Sequence, residues 1–203
     1  MKFNKYFLLL ILEILISTHL TNAQDNKWIL AKDKDGIIVL TYFSKDSNII
    51  GYMATMTVKE SNINNIIKII DNVNEYKNWF ENLKYAKTLK KINANERYDY
   101  YLTYLPWPFE NRDIIFHQTT KIVNGTIIIS LKSVPGYIPK KEKITRINYA
   151  SGYWKIIPEE KGKIKIIYQL SFDPEYNFPD WVLKMFIVDA PYQTLVNLKD
   201  LIK

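Results

Sequence analysis

Apolar residues recur along this chain at two spacings, and the switches between them outline its elements. Ile37 to Phe43 and Gly51 to Val58 are dense in β-branched and aromatic residues, with a polar hairpin loop, Ser44 to Asn48, between them. The interval then turns helical: Ser61 or Asn62 caps a helix carrying Ile63, Ile66, Ile67 and Ile70. A second short helix, Glu75 to Phe80, shows Tyr76, Trp79 and Phe80 on one face. Strand spacing returns in Leu83 to Ile92 and Arg97 to Leu105, joined at Asn93-Ala94-Asn95. It continues in Ile114 to Val123 and Thr126 to Leu131, joined at Asn124-Gly125, a dipeptide suited to two consecutive positive-φ positions. After a loop from Val134 to Lys143, Ile144 to Ile157 and Lys163 to Phe172 form the last pair, turned at Pro158 to Gly162.

In that final strand Ile164, Ile166, Tyr168, Leu170 and Phe172 share one face, and Lys163, Lys165, Gln169 and Ser171 alternate with them. In its partner the apolar register shifts from Ile147 and Tyr149 to Trp154 and Ile156, which predicts a β-bulge at Gly152. From Phe178 to Lys203 the pattern is that of a long helix with Trp181, Met185, Val188, Tyr192, Leu195 and Ile202 along one side. Pro191 is expected to kink or divide it. Strands followed by one terminal helix make an α+β domain. A bent sheet wrapped around that helix either leaves a pocket for an apolar guest or closes into a filled core.

The segment Leu105-Pro106-Trp107-Pro108-Phe109-Glu110-Asn111-Arg112-Asp113 carries the most distinctive chemistry. Its two prolines withdraw backbone donors, so it arches from the sheet as a stiff loop holding Trp107 and Phe109 at a sheet margin, where they pack or touch a membrane. Arg112 and Asp113 point to opposite faces of a strand and need separate partners. Arg112 either holds the gate or a ligand's polar group, or makes a fold-fixing ion pair. In the preceding strand Tyr98, Tyr100, Leu102 and Tyr104 read as the core side, which leaves Asp99 at the surface. His117 has no serine or carboxylate cluster near it in sequence and reads as structural.

The length suits one domain. Lys2 and Lys5, the apolar run Phe7 to Ile16, and Thr21-Asn22-Ala23 read as a secretory signal over residues 1–23, so the domain spans residues 24–203 and is exported, periplasmic or secreted. Without cysteine, stability rests on packing rather than disulfides. The formal charge of +7 drops to +6 once Lys2, Lys5 and Glu13 leave with the leader, and scattered lysines on an exported chain argue against a nucleic-acid partner.

The chain resembles the START family, the lipid-transfer domains named after the steroidogenic acute regulatory protein, over nearly all of its mature length. The resemblance is carried by Trp28 with Lys32-Asp33-Lys34-Asp35-Gly36-Ile37, by Ile70-Asp71 with Tyr76 and Trp79, and by Pro106-Trp107-Pro108 with Asn111-Arg112-Asp113. Gly152-Tyr153-Trp154 with Pro158, Asp173-Pro174 and Phe178-Pro179-Asp180-Trp181 continue it in order. It implies a helix-grip fold, in which a curved antiparallel sheet and the C-terminal helix enclose a tunnel for one lipid, sterol or similar molecule, gated by the Pro106–Phe109 loop and that helix. It also implies an acid and an arginine in the tunnel: Asp99 takes the acid's place, while the arginine's place, six residues after Arg112, holds Gln118. The ligand-contacting set so implied is Asp99, Tyr101, Trp107, Phe109, Arg112, Phe116, Gln118, Trp154, Tyr168, Trp181, Met185, Val188 and Tyr192. The resulting expectation is a monomeric, noncatalytic binder and carrier of a hydrophobic ligand, with transient membrane contact and no cofactor or metal. The alternatives are an enzyme of cyclase or hydrolase type using Asp99, His117 or Tyr168, and an interaction module with a filled core.

Overall fold

The structure, a computed structural model, describes residues 27–59 and 62–202; the leader expected at residues 1–23 and the alternative cap Ser61 fall outside them. Ten strands alternate with few helices: β1 (Ile29–Lys34), β2 (Ile37–Phe43), β3 (Ile50–Lys59), β4 (Leu83–Asn93), β5 (Glu96–Thr103), β6 (Asn111–Val123), β7 (Thr126–Ser133), β8 (Ile144–Arg146), β9 (Ala150–Glu159) and β10 (Lys163–Phe172). They form one curved sheet in the order β1-β2-β3-β10-β9-β7-β6-β5-β4, antiparallel throughout except for β8, which lies parallel to the start of β6. Helix α1 (Ile63–Asp71) and a 3-10 turn (Val73–Asn78) follow β3. The chain ends in α2 (Asp180–Lys184), a π-helical turn (Met185–Asp189) and α3 (Ala190–Ile202). The core lies between the sheet's inner face and these helices, and it matches the expected helix-grip architecture.

Local chemistry accounts for much of this. Asn62 caps α1, its Oδ1 accepting from the Asn64 N–H at 3.1 Å, and Ile66 and Ile70 turn into the core. Asn124 and Gly125 both take positive φ (49° and 77°), which brings β7 back on β6 with the strands' natural twist. The inner face of β10 is the alternating set Ile164 to Leu170 anticipated from its period of two, and β10 joins β3 to β9.

Four local expectations are corrected. Strand β1 was not foreseen, because it is an exposed edge strand with a polar pattern. No bulge occurs at Gly152, which keeps register with Leu170 on one side and Leu131 on the other. Glycine is required there because a Cβ would stand 2.2 Å from the Gln169 carbonyl oxygen. The shift in apolar register arises instead because Ile144 to Ile157 is two strands, β8 and β9, interrupted at residues 147–149. On β5 the facing is the reverse of that read from the tyrosines: Arg97, Asp99 and Tyr101 point inward. Tyr100 is nevertheless buried on the outer side, with the Lys141 ammonium 4.5 Å from its ring centre.

Pro191 does not break the final helix at its own position. The helix runs on through Ala190 into α3, and the irregularity lies just before Pro191 as the π-helical turn, whose wider winding accommodates a residue with no N–H to donate. An extra residue in that turn rotates everything N-terminal to it about the helix axis. Val182, Leu183 and Phe186 therefore face the interior, and Trp181 is thrown outward.

Candidate ligand cavity and its lid

Between β3, β5, β6 and β10 and the start of the final helix lies an apolar hollow of about 100 Å³. Strand register orders its wall. Tyr52, Tyr101, Phe116 and Tyr168 stand at the deep end, and Ile50, Thr103, Arg112 and Phe172 stand toward the strand ends. Pro174, Phe178, Leu183, Phe186 and Ala190 roof it.

The roof is a lid made of three short segments. Leu105, Phe178 and Val182 form a small apolar cluster of their own, with Phe109, Leu183 and Phe186 packed against it. Phe109 is its hub: its ring centre lies 5.8 Å from Tyr176, 5.1 Å from Phe178 and 6.4 Å from Trp181. The outer rim of this lid is aromatic and wet. Trp107 is 90% exposed, and Tyr104, Tyr176 and Trp181 are each half exposed or more.

Aromatic rings stop the hollow at its deep end. Trp154 stacks on Tyr168 with centres 4.1 Å apart and planes at 8°, Phe80 meets both edge-on, and Tyr76 and Trp79 pack behind Phe80. The phenols are sealed accordingly: burial, first of all, raises the hydroxyls of Tyr52, Tyr76, Tyr101 and Tyr168 well above their ordinary value of 10.0.

Beyond this plug sits the polar pair that the resemblance implied, in altered form. Asp99 is fully buried; its Oδ2 accepts from Arg97 Nε at 2.8 Å and its Oδ1 from the Thr88 hydroxyl at 2.8 Å. Arg97 also reaches Asp71 at 2.9 Å. Gln118 is its cross-strand partner, and with the amide oxygen turned inward it accepts from Arg97 Nη2 at 2.6 Å. The arginine missing from position 118 is thus supplied two residues before the acid, and neither Asp99 nor Gln118 touches the hollow.

Arg112 and Asp113 do divide between the two faces. Asp113 faces outward and receives Arg146 in a forked pair, 2.5 Å from Nε and 2.9 Å from Nη2, while Arg146 also donates to the carbonyls of Pro135, Ile138 and Pro139. That pair fixes the 134–143 loop. Arg112 faces inward, donating from Nη1 to the Glu110 carbonyl at 2.6 Å and from Nε to that of Pro174 at 3.4 Å, over the Phe178 ring. The fold-fixing ion pair considered for Arg112 is therefore not made: no carboxylate among the described residues lies within 4 Å of its guanidinium.

Of the residues singled out from sequence, Tyr101, Arg112, Phe116 and Tyr168 line the hollow, and Trp154 backs its blind end. Phe109 holds the lid, and Trp107 and Trp181 lie on its outer rim. Met185, Val188 and Tyr192 lie off the wall, the last two in the main core. Tyr192 instead bonds Asp35 at 2.6 Å beneath the Lys32 ammonium. Sequence reading missed Tyr52, Phe172, Leu183 and Phe186; the alternation of β3 and β10 pointed to the first two, and nothing marked the π-helical turn. The three groups considered for catalysis do not converge: Asp99 lies behind the plug, Tyr168 faces the hollow, and His117 is on the outer face, stacked on Tyr98 and 2.8 Å from Glu96. Among the described residues no three metal-ligating side chains come together, and no helix is long and apolar enough to cross a membrane.

Comparison with known proteins agrees with this geometry. The family model for the START domain matches residues 15–189. An uncharacterized protein of Pseudomonas aeruginosa is 32% identical over 179 residues, 88% of each chain. A STAR-related lipid transfer protein of Xanthomonas axonopodis superposes with a TM-score of 0.76 at 27% identity, covering 86% of this chain and 98% of that one. The human StAR-related lipid transfer protein 5 gives 0.73 at 16% identity, covering 97% and 95%.

Proposed function

The chain belongs to the START domain family, and from that membership together with the lidded hollow we propose that it binds a single hydrophobic molecule and carries it between membranes. The observation that supports this most is the hollow itself: an apolar wall on the sheet, roofed by the 105–109 loop and by the 174–186 stretch, which meet through apolar side chains. Each buried methylene gains ~0.8 kcal/mol, so even a short acyl segment held there binds appreciably. At about 100 Å³ the hollow is smaller than the ~300–1,000 Å³ of occupied ligand pockets, so the guest enters as the lid lifts and holds it further open.

Transfer follows from the lid's outer face. Trp107 and Trp181, with Tyr104 and Tyr176, suit shallow insertion at a membrane surface, bringing the moving roof to the donor bilayer. The leader-like start, Lys2 to Ala23, supports work outside the cytoplasm. Binding, not turnover, is the reading favoured by the scattered positions of Asp99, His117 and Tyr168. Native mass spectrometry of gently purified protein, followed by exposure to vesicles of mixed acyl lipids and sterol, tests this. A one-to-one complex is expected, and a persistently empty protein across all lipids would count against it.

A further inference from the structure

Of the 28 basic residues of this chain only three are arginines, Arg97, Arg112 and Arg146, and all three are buried. A guanidinium taken out of water is costly unless an opposite charge meets it. Arg97 has two carboxylates, Asp71 and Asp99, and Arg146 has the forked contact with Asp113. Arg112 alone is left with backbone carbonyls, one of them distant, and its Nη2 donates to no acceptor among the described residues. The nearest acids, Glu110 and Glu175, act on it only through space and make no ion pair with it: Glu110 accepts from Thr145 and Glu175 from Asn148. Burial lowers the Arg112 pKa despite Glu110 and Glu175, whereas that of Arg97, with two carboxylates in contact, is raised.

Position gives this unmet charge a use. Arg112 stands at the lid end of an otherwise apolar hollow, with Phe178 against one face of its guanidinium and the aromatic plug at the far end. A planar fork with free N–H groups matches an oxyanion better than a hydroxyl or an amide. Resting on the carrier reading above, we propose that the guest is an acidic amphiphile: its carboxylate or phosphate is received by Arg112 beneath the lid, and its chain points toward Tyr168.

The test is calorimetric titration of the full chain with four probes of equal chain length: myristic acid, methyl myristate, myristyl alcohol and a myristoyl lysophosphatidic acid. The acid and the lysophosphatidate are expected to bind, with the ester and the alcohol roughly tenfold or more weaker. Uptake of both anions or of either one supports the assignment, and the stronger of the two identifies the head group. Arg112→Met should bring the acid down to the ester's level, and Arg112→Lys should restore part of the preference. If the methionine variant does not fold, the acid-to-ester comparison on the unsubstituted protein still decides. Equal affinity for acid, ester and alcohol, or preference for the uncharged probes, overturns this assignment and leaves the carrier reading standing. No uptake of any of the four overturns this assignment, and the carrier reading falls with it only if the mixed acyl lipids and sterol also leave the protein empty.

Discussion

Buried charge in this molecule is allotted one residue at a time, and neighbours in sequence receive different tasks. Asp113 and Arg112 are adjacent, yet the strand's period of two sends one to the outer face and one to the hollow. Asp113→Asn leaves Arg146, 2% exposed, without its counter-charge, and we expect a loss of roughly 3–5 kcal/mol in urea unfolding. Trp107 marks the other extreme. With 90% of its surface in solvent, Trp107→Ala should leave stability within about 0.5 kcal/mol while reducing association with vesicles in a flotation assay. An unchanged vesicle-bound fraction would remove that residue from any membrane role.

At the scale of elements, legibility followed how one-sided each strand is. Strand β10 has one wet and one dry face, and its register could be read directly; the β6–β7 turn was announced by Asn124-Gly125. Strand β5 misled because both of its faces are covered, the inner by helices and the outer by the 134–143 loop, so Tyr98 and Tyr100 looked like core and Asp99 like surface. Strand β1 was missed although Asp35-Gly36, a positive-φ dipeptide of the same kind as the β6–β7 turn, joins it to β2. In the final helix one wide turn changed which side chains reach the site, a rotation that no apolar spacing records. The same helix is unequally held. Along α3, Thr194 Oγ1 accepts from the Glu81 N–H, Asn197 Nδ2 donates to the Trp79 carbonyl and Lys199 Nζ to the Asp35 carbonyl, whereas α2 packs on Leu105 and Phe109 through apolar contacts. Hydrogen exchange should therefore be faster in residues 180–189 than in residues 192–202, and slower in the former when a guest is bound. Uniform protection along the whole helix would rule out a lid at that end.

For the molecule as a whole, the interior's tyrosines couple stability to alkali. Tyr52, Tyr76, Tyr101 and Tyr168 each have a folded pKa raised above the ordinary 10.0, chiefly by burial, so the folded state holds these protons more tightly than the unfolded chain. Their contribution is complete below pH 10.0 and is lost as pH rises past it, at about 1.4 kcal/mol per pH unit for each group. Alkaline titration should show these phenols ionising together with the loss of circular dichroism. Ionisation ahead of unfolding would mean the plug is open to water.

That plug also sets a length. A chain anchored at Arg112 can extend only until it meets the ring of Phe80, so the distance between them acts as a ruler for the tail a guest is permitted to have. Trimming the stop should reset the scale: Phe80→Ala, at a folding cost below the ~3–5 kcal/mol of a fully buried phenylalanine because Phe80 is only partly buried, ought to move the preferred tail to longer homologues in a competition among acids of graded carbon number.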